Sequence, residues 1–333
     1  MNKKVLTARR DGTTERLNAI IHGIYIAKKL KWDFAFSWVV NTGAIENKLM
    51  SIDNFLPSFF NPEFVKNYYV DFEQFKSTYF FEDQPKTMCE YVSGTEYKKI
   101  PSNQQLRKTQ NILPSSIFHD ETSNELEDIV KEVIDPAYFS YREAMMTKVK
   151  GSIGLHYRGG DVVYGLNRHG KHAIGDKSVS LAVIEDYIVN NSDERFIVFG
   201  TPIGDTENDM QYLNNKYSNI TLSKDLRLEH LDHVLQDCFL MSCCKTVACM
   251  SGTGVTRFAN MINSDLTRDF FHETHDVDEL YKLFMQGTYN LEYNKLQRSF
   301  HAVNALNLKG NEKDSLLEII KKLDPENRLT WLK

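Results

Sequence analysis

Between Ser152 and Ile262 short apolar runs alternate with amphipathic stretches, and that alternation restricts the fold more than any other feature of the chain. Residues 152–157 (SIGLHY), Phe196–Phe199, Ile220–Leu222 and Thr246–Cys249 are too short for buried helices and read as strands. The intervening stretches, at about 180–189, 207–216, 231–243 and 255–262, are long enough for helices and read as such. Strands and helices in strict succession predict a doubly wound parallel sheet with helices on both faces. Such a sheet binds ligands outside the carboxyl ends of its strands, so chemistry is to be sought in the segments that follow them.

The chain opens in a similar way. Lys4–Ala8 reads as a short strand, and residues 11–14 (DGTT) read as a turn and helix cap. Leu17, Ile20, Ile21, Ile24 and Ala27 recur at helical spacing before a second strand within Trp32–Trp38. This β-α-β unit implies parallel strands covered by a helix. Asn41–Ser115 is rich in Phe and Tyr, shows no clear periodicity and is broken by Pro57, Pro62, Pro85 and Pro101. Thr122 and Glu125 fit a capping box ahead of the helical face Leu126, Ile129, Val130 and Val133. Pro136 then starts a second helix through Met146. A chain of 333 residues exceeds one ordinary core. Two lobes are therefore expected, residues 1–148 and 149–274. The tail 275–333 carries the stripe Leu316, Ile319, Ile320 and Leu323 and is expected to pack back on the first lobe.

Composition removes several classes of function. The net charge is −5, and the one small basic cluster is Lys28, Lys29 and Lys31, so nucleic acid is not an expected partner. No run approaches the roughly 20 apolar residues that span a bilayer, and Met1–Leu6 lacks the apolar core of a signal peptide. A cytoplasmic protein is expected. Five cysteines cannot all pair, and the separations of Cys238, Cys243, Cys244 and Cys249 are not those of zinc knuckles. Cys238 falls on the stripe Leu231, Val234, Leu235, Cys238 and Met241, which makes it a core residue. His272–His275 (HETH) lacks the i, i+4 histidine pair of a zinc protease helix and reads as a solvated turn. No metal site is expected.

Two segments at strand ends can carry chemistry. His156–Asp161 (HYRGGD) combines an imidazole, a guanidinium and a carboxylate, with Gly159 and Gly160 letting the backbone turn. Arg158 there offers a planar fork of donors suited to phosphate oxygens. Ser251–Gly254 (SGTG) lies between a strand and a helix, where main-chain amides, hydroxyls and the helix dipole favour an anion such as pyrophosphate. In a parallel sheet both segments fall on the same edge. Asp237 lies on the preceding helix, as a ligand group or as its polar side. The loop Gly165–Lys177 carries Arg168, His169, Lys171, His172 and Asp176, and could close over a phosphate or sugar. Asp161, Asp11, Asp176 and His156 are the candidate general bases, between which spacing does not choose. Trp38 and Tyr68 could stack on sugars or fill the core.

Together these segments resemble a known family. HYRGGD is similar to the HxRRxD-type signature of the fucosyltransferase superfamily, which includes α1,2-, α1,6- and protein O-fucosyltransferases. Residues 11–17 (DGTTERL) resemble the GGLGNRL segment that opens many members, keeping Gly12, Arg16 and Leu17. The stretch from Asp237 through SGTG resembles a third block, in which a carboxylate on a helix precedes a strand and a Ser/Thr turn.

The resemblance implies an α/β, GT-B-like architecture of two Rossmann-type lobes with a cleft between them. It also implies an inverting, metal-independent glycosyltransferase that needs no cofactor, the GDP-sugar being a substrate. Arg158 would hold the β-phosphate, with His156 and Asp161 matching the motif's other polar positions. Asp237 would lie near the guanosine, and Ser251, Gly252 and Thr253 near the pyrophosphate. Gly12, Arg16 and Asp11 would belong to the acceptor-side lobe. One departure is Gly159, where many members carry a second Arg. It leaves the remaining phosphate charge to Arg168 or Lys171, and it loosens the assignment of fucose as the donor sugar. The expected activity is sugar transfer, from GDP-fucose first of all, to a hydroxyl of an oligosaccharide, glycolipid or other glycan. By analogy the setting is the inner face of a bacterial membrane. Another NDP-hexose or heptose donor, or a non-catalytic nucleotide-sugar or glycan-binding module, are the alternatives.

Overall fold

The computed structural model describes residues 4–7, 12–38, 56–71, 74, 90–92, 96–99, 111–112, 124–158, 178–201, 205–250, 252–308 and 313–326. The first half builds a small parallel sheet. Strand β1 (Lys4–Thr7) leads into helix α1 (Thr13–Leu30), and α1 returns to β2 (Asp33–Phe36). Helix α2 (Pro62–Tyr68) starts at Asn61, whose side chain accepts from the Glu63 amide. A two-stranded antiparallel ribbon, β3 (Glu90–Val92) and β4 (Glu96–Lys99), precedes β5 (Asn111–Ile112). β1 is central, with β2 and β5 parallel on its two sides. Helices α3 (Asn124–Val133) and α4 (Pro136–Val149) follow, the second capped by Asp135 and opened by proline.

The second half has the predicted alternation. In order come β6 (Ile153–His156), α5 (Leu181–Asn190), β7 (Phe196–Phe199), α6 (Thr206–Lys216), β8 (Ile220–Leu222), α7 (His233–Met241), β9 (Thr246–Cys249), α8 (Gly254–Ile262) and β10 (Thr267–Phe270). The five strands are parallel and lie in the order β10-β9-β6-β7-β8. In chain order this is 5-4-1-2-3, so the winding reverses between β6 and β9. The chain is thus α/β with two parallel sheets. Edge strand β10 has no apolar run to announce it and gains its extended form from pairing with β9.

The two faces of the larger sheet belong to different cores. Along β7, Ile197 and Phe199 join Leu235, Phe239, Val247 and Phe258 in a cluster that continues through α1, α3 and α4 to the first sheet. Phe196 and Val198 face the other way, with Ile153, Leu155 and residues of α5 and α6. This is the two-residue period of a strand buried on both sides. Gly154 of β6 faces the first cluster, where a Cβ would lie 3.1 Å from Phe199 and 3.2 Å from Val247.

Three sequence expectations are corrected. The tail forms α9 (Phe271–Thr274), α10 (Val277–Tyr289), α11 (Lys295–Leu308) and α12 (Lys313–Leu323). Leu316 and Ile320 are buried in the second cluster beside Phe300 and Leu296, so the tail covers the larger sheet instead of packing back on the first lobe. Its stripe dictates burial but not against which surface. In HETH, Glu273 and Thr274 are exposed at the end of the one-turn helix α9, but His275 is not solvated and lies 3.1 Å from the Asp186 carboxylate with its side chain 9% exposed. Finally, the first core takes in α7 and α8, so it extends well beyond residue 148. Cys238 is buried within it. Trp38 is buried against Phe59 and Phe60. Tyr68 packs on Phe34 and Phe64. No helix among the described residues is long and apolar enough to cross a membrane.

Candidate functional site

The reversal between β6 and β9 is a switch point of the sheet, and doubly wound sheets take ligands at the carboxyl ends of the strands at such a point. Arg158 follows β6 on one side, and Gly252 and Thr253 follow β9 on the other. The sheet therefore brings together residues almost a hundred positions apart. Asp11, Asp161, Arg168, Lys171, Asp176 and Ser251 lie outside the described residues.

His156 is the last residue of β6 and is 8% exposed. Burial and then the Arg158 guanidinium push its imidazole down to about 3. It is neutral at physiological pH, far below the range in which a histidine takes up protons efficiently near pH 7. Its depression also shows that the Arg158 charge lies close to the strand end.

On the other side, Thr253 is the N-cap of α8. Its hydroxyl accepts from the Thr256 amide at 3.3 Å, and its own amide donates to the Thr256 hydroxyl at 3.0 Å. This reciprocal box engages the threonine side chain in the helix itself. The first-turn amides of α8 have no intrahelical acceptors, and so the main chain is the donor surface of this turn.

A second helix begins at the same place. Gly12, which has no side chain of its own to cap with, is the N-cap of α1. The approach of α1 to α8 is so close that a Cβ on Gly254 would lie 2.8 Å from Thr14 Oγ1 and 2.9 Å from Glu15 Oε1. Asn18 Nδ2 donates to the Gly254 carbonyl at 3.3 Å, and Arg257 lies 3.5 Å from Glu15. Each helix start carries roughly half a positive charge, and two in contact repel unless an anion intervenes. Glu15 supplies part of that negative charge. One turn further, Arg16 is buried with its guanidinium carbon 4.7 Å over the Trp38 ring.

Asp237, on α7, is held by Arg227 through two bonds of 2.6 and 3.0 Å. Arg227 also reaches the Ser223 hydroxyl at 3.4 Å. The carboxylate is therefore engaged and nearly buried, with its side chain 13% exposed. Arg227, Glu15 and Asn18 were not singled out in the sequence, where no motif or period marks them, whereas Gly254 was read as the end of the SGTG turn. Among the described residues no group of three or more His, Cys, Asp or Glu side chains is placed to hold a metal ion.

No family model and no curated protein matches the chain. Solved structures do. The fucosyltransferase NodZ from Bradyrhizobium matches at 14% identity with a TM-score of 0.47, over 82% of this chain and 96% of that one. A NodZ alpha-1,6-fucosyltransferase soaked with GDP-fucose matches at 13% identity and a TM-score of 0.46, over 79% and 93%. POFUT1 in complex with GDP-fucose matches at 10% identity and a TM-score of 0.45, over 81% and 99%.

Proposed function

We propose that the crevice between β6 and β9 binds a nucleoside diphosphate sugar, and that the chain transfers the sugar to a hydroxyl of a glycan acceptor. The observation that supports this best is the pairing of β6 with β9 at the reversal of strand order, with Arg158 after one strand and the start of α8 after the other. Glycosyl transfer develops negative charge on the departing diphosphate. A fixed guanidinium and helix-start amides can neutralise that charge without a metal, and we propose that no metal or cofactor is required. The abutting start of α1 adds a second positive helix end beside the same turn.

The finer reading is an inverting, GT-B-like fucosyltransferase using GDP-fucose, and it rests on the three sequence blocks described above. In it Arg158 contacts the β-phosphate, and the turn at Gly252 and Thr253 receives the pyrophosphate. The same blocks assign Asp237, whose carboxylate is paired with Arg227, to the neighbourhood of the guanosine. Gly12 and Arg16 belong to the acceptor side, and the general base is sought in Asp11 and Asp161. The acceptor is an oligosaccharide or glycolipid, met at the inner face of a bacterial membrane.

The test is direct. GDP, but not UDP, ADP or CMP, is expected to raise the melting temperature. GDP should be released from GDP-fucose when glycan acceptors are supplied. A folded Arg158→Ala protein should lose about 100- to 1,000-fold in turnover, the usual effect of removing one preorganised contact to a developing anion. Stabilisation by a different nucleotide changes the donor. GDP binding without release over a broad acceptor panel makes the chain a binding module, a reading that Gly159 in place of a second Arg favours. Absence of both binding and release overturns the proposal.

A further inference from the structure

Directly beneath Arg158 the strand end is tied into the second core by a buried polar network that the proposed chemistry does not use. Tyr157 is 2% exposed, and its amide still pairs with the Phe199 carbonyl of β7 at 2.8 Å. Its side chain points away from the crevice into the second cluster. There the hydroxyl donates to Asp209 Oδ2 at 2.6 Å. Asp209 lies in the first turn of α6 and is 3% exposed. The Gln297 amide of α11, oriented with its nitrogen towards the carboxylate, donates to Asp209 Oδ2 at 3.1 Å. Its oxygen then accepts from the amide of Leu181, the first residue of α5, at 3.3 Å.

This network joins two points of the chain that flank residues 159–177. Tyr157 immediately precedes Arg158, and Leu181 opens the helix after that stretch. The groups between them come from α6 and α11, which cover the sheet on the face away from the first lobe. Fully satisfied buried networks fix side-chain and backbone positions more tightly than apolar packing does, because any displacement strands a polar atom in a medium without water. A catalytic arginine needs such support, since small misplacements cost much of its effect.

We infer that Tyr157 and Asp209 are positioning residues for the donor site, their hydrogen bond fixing the end of β6 and through it the Arg158 guanidinium. The inference rests on the proposed role of Arg158 and adds to it the two residues that hold it in place. Burial, together with the nearby Asp205 charge, pushes the Asp209 carboxyl up to about 7 against the lowering effect of Tyr157, so near neutral pH a neutral acceptor can do its work.

The experiment measures GDP affinity by calorimetry and melting temperature for Tyr157→Phe, Asp209→Leu and Asp209→Asn, each alone and combined with Arg158→Ala. Tyr157→Phe and Asp209→Leu should each weaken GDP binding about tenfold, the equivalent of one buried hydrogen bond. Asp209→Asn keeps a neutral acceptor and should bind GDP within about twofold of the parent. In the Arg158→Ala background Tyr157→Phe should lower the melting temperature as before while leaving the residual GDP affinity unchanged. An equal loss of affinity in both backgrounds overturns the inference, as does a loss of melting temperature with no loss of affinity. If Asp209→Leu fails to fold, Tyr157→Phe, which removes one oxygen, decides the matter alone. Absence of GDP binding by the parent protein defeats the donor-site reading itself, a result distinct from either outcome in the variants.

Discussion

Asp209 and Asp237 lie on helices that cover opposite faces of one sheet, and they have been given different partners. Asp209 lies in the first turn of α6, which covers one core, and Asp237 beyond the first turn of α7, which covers the other. Asp237 meets a guanidinium in a bidentate pair. Asp209 meets a phenol and two amides, of Gln297 and Asn294, all neutral. Burial pushes the Asp237 carboxyl up, and the Arg227 charge and hydrogen bonds pull it back. Among the described residues no cation performs that service for Asp209, which is pushed up to about 7. Burial thus raises both carboxyls, in one case against a guanidinium and its hydrogen bonds and in the other against a phenol.

The largest effect should follow from making the first site resemble the second. Arg227→Ala leaves the Asp237 charge buried without its counter-ion and should cost about 3–5 kcal/mol in urea denaturation at pH 8. The double change Arg227→Met with Asp237→Leu should recover most of it. A loss below about 1 kcal/mol for the single variant would show that water replaces the guanidinium. Next comes pH. Because the folded pKa of Asp209 lies above the unfolded value of about 4, the native state binds its proton more tightly. Its stabilising contribution is present in full below the unfolded value and is lost as pH rises through about 7. Between pH 5 and pH 8 the loss should reach about 3 kcal/mol, and Asp209→Asn should remove that slope. Unchanged slopes in wild type and variant would mean that Asp209 stays ionised throughout. The smallest effect is expected from Tyr157→Phe, about 1 kcal/mol of stability, since it removes one hydrogen bond and leaves Asp209 its amide partners.

How much of this was legible depended on whether a residue's environment is local. β7 and β9 were read to the residue because FIVF and TVAC are buried on both faces and bounded by polar turns. α8 was read within one residue because its threonine cap and apolar stripe are both in the sequence. β10 was not read. Its sequence TRDF is polar, and its extended form comes from pairing along β9. His275 looked solvated because its partner, Asp186, is 89 residues away. In the site, Arg158 and Thr253 could be found because strand ends advertise them. The Arg227–Asp237 and Tyr157–Asp209 pairs could not, since neither partner follows a helical or strand period from the other.

The sharing of core between the two sheets has a consequence for synthesis. The cluster that buries β1, α1 and β2 also needs Leu235, Phe239, Phe258 and Ile262. When residue 150 leaves the ribosome, α1, α3 and α4 are made but α7 and α8, which pack on them, are not. At about 5–20 residues per second, more than a hundred further residues take on the order of ten seconds to emerge. For that interval the apolar faces of α1, α3 and α4 await helices not yet made, a time in which a chaperone would find its best purchase on this chain.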